Sequence, residues 1–146
     1  MDESAEQLAL MLTTHGMQRM TARVLTALLF TEQPTMTSSD LSEQLQASSG
    51  AISTSIRMLT SVGLAERVPV PASRRDHYRL RDNAWAVLFT NQNAVLSAMQ
   101  EAAAAGIAGT QKDSLACARL TQMRDFYAFL LGEIPTLLER WRQEQH

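Results

Sequence analysis

The apolar residues between Ser48 and Val62 recur with the period of one face of a helix. Ile52, Ile56 and Leu59 are spaced by four and then three residues, so they form a single stripe. The remaining faces carry small hydroxyl groups and one guanidinium, contributed by Ser49, Ser53, Thr54 and Arg57. Such a helix packs on one side and leaves hydrogen-bonding groups on the other, where they suit phosphates or base edges.

A shorter helix precedes this one and is joined to it by a tight turn. The segment Thr37–Asp40 matches a capping box, in which two side chains bond the free N–H groups at a helix start. We therefore predict a helix from Ser38 to Leu45, then a turn that ends at Ser48, the N-cap of the next helix. Two helices connected in this way indicate a helix-turn-helix.

Alternating apolar and polar residues after the helix pair predict a β-hairpin. Leu64–Val68 and His77–Leu80 alternate as strands do, and the segment between them holds two prolines and the run Ser-Arg-Arg-Asp. A hairpin with arginines at its tip, directly after a helix-turn-helix, is typical of a wing. Arginine at such a tip suits the minor groove or flanking phosphates, because the potential there is negative.

Long helical segments flank this region on both sides. Helices are predicted for residues 2–15, 17–30, 82–105 and 113–143. In the last of them the apolar residues alternate spacings of three and four, which is the seam of a helix that packs against another helix. The seam residues are Leu120, Met123, Tyr127, Leu130, Ile134, Leu137 and Trp141. Pro135 predicts either a kink or a short break in this helix.

These patterns together predict a mainly α-helical fold. The chain has 146 residues, which is enough to bury a substantial core. We expect a winged helix-turn-helix DNA-binding domain at residues 17–82. Residues 1–16 and 83–146 would form a helical dimerisation region.

The distribution of charge adds to this interpretation more than the net charge of −2 does. From Arg57 to Arg81 there are six arginines and two acidic residues, a local excess of +4, so the remainder of the chain carries −6. A basic segment on an acidic body predicts contact with a polyanion through one face. Twelve of the thirteen basic residues are arginine, which suits forked phosphate or guanine contacts but is equally explained by a GC-rich genome.

The residue pattern does not indicate catalytic or metal chemistry. There is neither a glycine-rich phosphate loop nor a nucleophile and base set, so we predict that the protein is not an enzyme and needs no cofactor. One cysteine, Cys117, and three separated histidines form no metal-binding pattern and no internal disulfide. An acidic N-terminus and the lack of a long apolar run predict a soluble protein that is not exported.

Three stretches resemble the MarR superfamily of bacterial regulators, and in particular its GbsR-like branch. They read GMQRMTARVLTALL, DLSEQLQASSGAISTSIRMLTSVGLAERV and PASRRDHYRL. The resemblance implies a cytoplasmic homodimer that represses transcription, sits on the nucleoid when bound to DNA, and releases DNA when a small molecule binds between the winged domain and the dimer helices. It also implies that Asp76 braces an arginine of the wing rather than touching DNA.

For DNA binding we single out the hydroxyl groups and arginines of the helix pair and the wing. They are Ser38, Ser48, Ser49, Ser53, Thr54, Arg57, Arg74 and Arg75. Arg57 could instead cap its own helix or pair with Glu43 or Glu66, and the two wing arginines could be a solvated surface pair. The expected partner is a near-palindromic duplex.

A ligand pocket for a small lipophilic effector is a further hypothesis. Met17, Met20, Trp85 and Phe89 have the adaptable and flat side chains that such a pocket uses, although core packing explains the same residues. Two other functions stay open at this stage. One is a winged-helix module that binds protein, and the other is a small-molecule-binding dimer without an operator.

Overall fold

The computed structural model describes residues 2–91 and 93–145 and contains seven helices and three short strands within them. In chain order these are α1 (Glu3–Thr14), α2 (Arg19–Phe30), β1 (Met36–Thr37), α3 (Ser38–Leu45), α4 (Ser49–Ser61), β2 (Ala65–Val68), β3 (His77–Leu80), α5 (Ala84–Asn91), α6 (Asn93–Ala108) and α7 (Leu115–Glu144). The expected mainly helical class with a small wing is confirmed. The fold separates into two compact units, one reaching as far as Leu88 and the other starting at Phe89.

The helix-turn-helix begins with the predicted capping box. The Thr37 hydroxyl accepts a hydrogen bond from the Asp40 backbone N–H at 3.1 Å, and the Asp40 carboxylate accepts one from the Thr37 N–H at 2.9 Å. Helix α3 ends at Leu45 and is followed by its C-cap, Gln46, whose φ of 51° lies in the left-handed region. The next helix begins with Ser48 as its N-cap, and the Ser48 hydroxyl accepts from the Ala51 N–H at 3.2 Å. Local chemistry therefore sets both ends of the turn.

The core of the first unit lies under helix α4. Ile52, Ile56 and Leu59 are all buried, as the sequence stripe predicts. They belong to one cluster with Leu25 from α2 and Leu41 from α3. Burial of this stripe leaves the opposite face of α4 at the surface.

The wing is a three-stranded antiparallel sheet rather than the two-stranded hairpin that the alternation predicts. Strand β3 is central and pairs with β2 through Arg67 and Tyr78, while β1 adds to its other side through Met36 and Tyr78. Strand β1 runs directly into α3, so the sheet is joined to the helix-turn-helix at both of its edges.

The second unit contains two helices that pack against each other. The sequence predicts a helix that ends at residue 105, and α6 instead continues through Gly106 to Ala108. Gly106 lies against Leu120 of α7 so closely that an added Cβ would be 3.0 Å from Leu120 Cδ1. Helix α7 runs from Leu115 to Glu144 with Pro135 inside it, so the alternative of a short break is wrong, whereas the alternative of a kink stays a prediction. The predicted helix 82–105 includes position 92, which lies outside the residues that the structure describes.

The predicted seam of α7 divides into two parts. Leu120, Met123, Tyr127 and Leu130 are half-buried and Ile134 is buried, whereas Leu137 and Trp141 are 53% and 54% exposed. The helix that packs along α7 in this unit is α6 of the same chain. Within residues 2–91 and 93–145, no helix has the length and apolar character needed to cross a membrane.

Replacing Gln46 by glycine should raise the free energy of unfolding by about 0.5 to 1 kcal/mol, because glycine adopts a positive φ without the steric cost of a Cβ. The matched control is Gln44→Gly, an exposed position inside α3, where the free energy of unfolding should fall by about 1 kcal/mol. Urea unfolding followed by circular dichroism measures both. Shifts in the same direction would contradict the left-handed geometry at Gln46.

Candidate nucleic-acid interface

The outer face of α4 and the strands of the wing enclose an open groove of about 670 Å³. Its lining combines hydroxyl groups, two guanidinium groups and one phenol. The lining residues are Ser38, Ser53, Ile56, Arg57, Thr60, Ser61, Arg67 and Tyr78. The fold thus brings together three residues predicted from different parts of the sequence pattern, Ser38, Ser53 and Arg57.

The other residues predicted on α4 lie at its start and on its exposed side. Ser48 acts as the N-cap, and Ser49 and Thr54 are exposed. The Thr54 hydroxyl donates to the Gly50 carbonyl at 3.0 Å. These small side chains add little bulk at the first turns of α4, the part of a recognition helix that contacts base edges.

Arg57 forms no ion pair among the described residues, so the alternative of pairing with Glu43 or Glu66 is not realised. Glu66 instead holds Arg79 at 2.8 Å and Arg81 at 3.9 Å. The pKa of Arg79 is raised chiefly by its hydrogen bond to Glu66 and, to a smaller extent, by the negative charge of that carboxylate. Glu66 therefore occupies two arginines at the base of the wing and leaves Arg57 available.

The tip of the wing is a tight turn that presents two arginines. The Ser73 N–H donates to the Val70 carbonyl at 3.2 Å, and Ala72 has a φ of 66°. Arg74 and Arg75 follow this turn and are exposed, with no ion pair in the part of the chain that the structure describes. Their position agrees with the predicted wing tip, and their charge is free to meet an anion.

The structure pairs Asp76 with Arg67 on the neighbouring strand rather than with an arginine of the tip. The distance from Arg67 Nη1 to Asp76 Oδ1 is 3.7 Å, and both side chains are more than half exposed. An exposed ion pair of this kind contributes little to stability, about 1 kcal/mol or less. It can nevertheless orient Arg67, which lines the groove beside Arg57.

Sequence reasoning missed four residues of the groove: Thr60, Ser61, Arg67 and Tyr78. A signal for the first two was present, since residues 53, 57, 60 and 61 have the helical spacing of one face. Arg67 and Tyr78 gave no such signal. They reach the groove only because β2 and β3 pair across it, with Arg67 opposite Tyr78.

None of the four predicted effector-pocket residues lines this groove. Met17 and Met20 are partly buried and pack against the core of the first unit, as the core-packing alternative expects. Trp85 is 48% exposed and Phe89 is 40% exposed. Another groove, of about 1080 Å³, runs along the first half of α7 and is lined by Cys117, Phe126 and Phe129 among others, but by none of the four predicted residues.

A basic, hydroxyl-rich helix face beside an arginine-tipped wing defines a winged helix-turn-helix protein. A family model described as the MarR family matches residues 15–76, and another, described as an MmpR5-like MarR family transcriptional regulator, matches residues 83–144. The chain belongs to the MarR family of transcriptional regulators. The family consists of regulators rather than enzymes, as the sequence predicted.

Two similar proteins support this assignment over nearly the whole chain. The HTH-type transcriptional regulator MmpR5 of Mycobacterium tuberculosis strain H37Rv is 32% identical over 146 residues, with 97% of this chain and 86% of that protein covered. A crystal structure described as that of a transcriptional regulator has a TM-score of 0.76 and 31% identity, with 95% of each chain covered.

Burial raises the pKa of the Tyr78 phenol above 10.0, the nearby charge of Asp76 raises it further, and Arg67 opposes the shift. In a Tyr127→Phe variant, Tyr78 is the sole tyrosine, and its ultraviolet titration should be centred above pH 10. Adding Asp76→Asn should move the midpoint down, because one carboxylate that opposes ionisation is removed. A midpoint at or below 10 in the parent background would contradict the packing described for Tyr78.

The same shift predicts how stability depends on pH. The pKa of Tyr78 is higher in the folded than in the unfolded protein, so its contribution to stability is complete below about pH 10. This contribution is lost as the pH rises through the folded value. Urea unfolding measured from pH 9 to 11 should show a loss of stability that is smaller in Tyr78→Phe.

Proposed function

We propose that this protein is a homodimeric repressor that binds a specific, near-palindromic DNA duplex through α4 and the wing. The observation that supports this most directly is the groove in which Arg57 and Ser53 face the wing strands. Helix α4 would enter the major groove, with Ser53, Thr54 and Arg57 nearest the bases. Ser38, Ser49 and the wing-tip arginines would contact phosphates.

Charge supports the same orientation. Arg57, Arg74 and Arg75 form no ion pair among the residues that the structure describes, while Arg67, Arg79 and Arg81 pair with Asp76 or Glu66. The unpaired arginines are therefore the ones placed to release counterions from DNA. Because α4 itself offers only one arginine, most of the affinity should come from phosphate contacts, and α4 should add a modest sequence preference.

Dimerisation would place two copies of α4 on successive major grooves, about 34 Å apart. Side chains of α7 that remain exposed in one chain are candidates for the dimer surface. Leu137 and Trp141 are both more than half exposed, and they continue the seam that begins at Leu120. The relationship to the MmpR5-like family model extends over this helix.

Release by a small lipophilic effector is the regulatory part of this proposal. A ligand can act only by favouring a dimer geometry in which the two recognition helices no longer match the operator. Met17, Met20, Trp85 and Phe89 stay the predicted pocket, and the GbsR-like placement within the family also stays a prediction. A protein that acts on bacterial operators in this way would be found in the cytoplasm, bound to the nucleoid.

A protein-binding winged helix is the main rival from another class. Binding to genomic fragments that does not weaken as the salt concentration rises would favour that rival, because phosphate contacts must release counterions. A ligand-binding dimer without an operator would instead bind a small molecule and select no sequence from a random DNA pool. Selection from such a pool is the first experiment, since it also supplies the operator.

On the selected sequence, Arg57→Ala should cost about 1 to 3 kcal/mol of binding free energy and relax the sequence preference, because it removes a contact near the bases. Arg75→Ala should weaken binding to all sequences alike and reduce the slope of log affinity against log salt by about 1. Electrophoretic mobility shift titrations at several salt concentrations measure both effects.

The matched control for charge is Arg140→Ala, which removes the same side chain from the exposed end of α7. It should leave affinity close to that of the parent, because that arginine lies outside the winged unit. If Arg57→Ala and Arg75→Ala behaved like this control, the assigned DNA-binding face would be wrong.

Leu137→Glu and Trp141→Glu should each weaken dimerisation by at least about tenfold, because a carboxylate would have to be buried at an apolar contact. Gln143→Glu introduces the same charge at a polar position of the same helix and should leave dimerisation nearly unchanged. Sedimentation velocity across a concentration series measures the dissociation constant. Dimers of parental stability in both apolar variants would exclude this end of α7 from the interface.

A further inference from the structure

His77 lies at the point where the wing loop returns to the sheet. It is the first residue of the central strand β3, and its backbone is in register with Thr37 of β1 and Val68 of β2. The side chain is half-buried, unlike those of the preceding wing residues Arg74, Arg75 and Asp76, which are exposed. The ring is thus attached to a part of the sheet that is paired on both sides.

Both nitrogens of the His77 ring have hydroxyl partners. Nδ1 is 2.9 Å from the Thr35 hydroxyl, and Nε2 is 2.8 Å from the Ser73 hydroxyl. The Ser73 hydroxyl also accepts a hydrogen bond from the Arg75 backbone N–H at 3.2 Å. A continuous chain of hydrogen bonds therefore runs from the residue before β1 to the backbone of the wing tip.

This arrangement satisfies the ring in either neutral tautomer. A neutral imidazole donates from one nitrogen and accepts at the other, and a hydroxyl group can take either role. The two hydroxyl groups can therefore complement whichever nitrogen carries the proton. An apolar ring at this position would leave Ser73 without this partner.

We propose that His77 is a positioning residue that holds Arg74 and Arg75 in place through the bond of its ring to Ser73. The backbone of His77 is fixed to the sheet by its pairing with Thr37, and the bond of the ring to Thr35 adds a second link to the segment before α3. Thr35 directly precedes β1, and β1 leads into the capped start of α3. The wing tip is therefore tied to the chain segment that also begins the helix pair. The consequence for DNA binding rests on the proposed function, but the order of the wing tip does not.

Two conservative variants separate the two bonds of the ring. The amide of glutamine reaches about as far as Nε2, so His77→Gln can keep the bond to Ser73. The shorter amide of asparagine reaches about as far as Nδ1, so His77→Asn can keep only the bond to Thr35. A role in the bulk stability of β3 would affect both variants alike, whereas a positioning role requires glutamine to rescue and asparagine to fail.

Limited trypsin digestion of the free, full-length protein measures the order of the wing tip, because the enzyme cleaves after Arg74 and Arg75. His77→Asn should raise the initial cleavage rate at these bonds by about fivefold or more, and His77→Gln should stay within about twofold of the parent. Cleavage after Arg119 in α7 serves as the internal control and should not change. Ser73→Ala should act like His77→Asn, and combining the two should not multiply their effects.

A parental cleavage rate in His77→Asn, or equal acceleration in both His77 variants, would overturn the proposal. The effect on DNA is a separate measurement on the selected operator. His77→Asn should lower the affinity and reduce the salt slope by about 1 to 2, and it should have no further effect when Arg74 and Arg75 are both alanine. A parent that selects no DNA would refute the proposed function alone, whereas normal operator binding by His77→Asn would refute the positioning role in DNA binding.

Discussion

Burial of one stripe of α4 is the constraint on which the rest of the first unit depends. Ile52 and Leu59 are fully buried and Ile56 nearly so, in one cluster with residues of α2 and α3. Each such side chain contributes about 1.5 to 3 kcal/mol when it leaves water, so rotating the helix about its axis would be costly. The face with Ser53 and Arg57 is therefore held outward by packing on the opposite side.

The wing depends on a different kind of constraint, which is the pairing of β3 on both sides. Because β1 and β2 flank it, the loop before β3 leaves from a fixed position beside α4. Acidic residues then divide the arginines of the wing into two groups. Glu66 and Asp76 engage Arg67, Arg79 and Arg81, while the tip arginines keep their charge for a partner. The local excess of positive charge in the sequence is therefore concentrated at the wing tip.

The sequence predicted best where neighbours along the chain decide the structure. The bounds of α3, the Thr37–Asp40 capping box and the N-cap at Ser48 all arise from contacts within a few residues, and all are confirmed. It predicted least well where a distant segment supplies the partner. The pairing of β1 with β3, and the packing of Gly106 against Leu120 where α6 continues, each depend on a partner that is distant in the chain.

By itself the sequence determined that Ser48 to Val62 is an amphipathic helix with hydroxyl groups and one arginine facing outward, because helical period and capping are local properties. Only the tertiary structure decided what stands beside that face. Arg67 and Tyr78 enter the groove because antiparallel pairing brings β2 and β3 across from α4. Glu66 pairs with Arg79 and Arg81 rather than with Arg57, because its strand β2 lies beside β3. Pairings between residues far apart in the chain depend on how the whole unit packs, which no local spacing encodes.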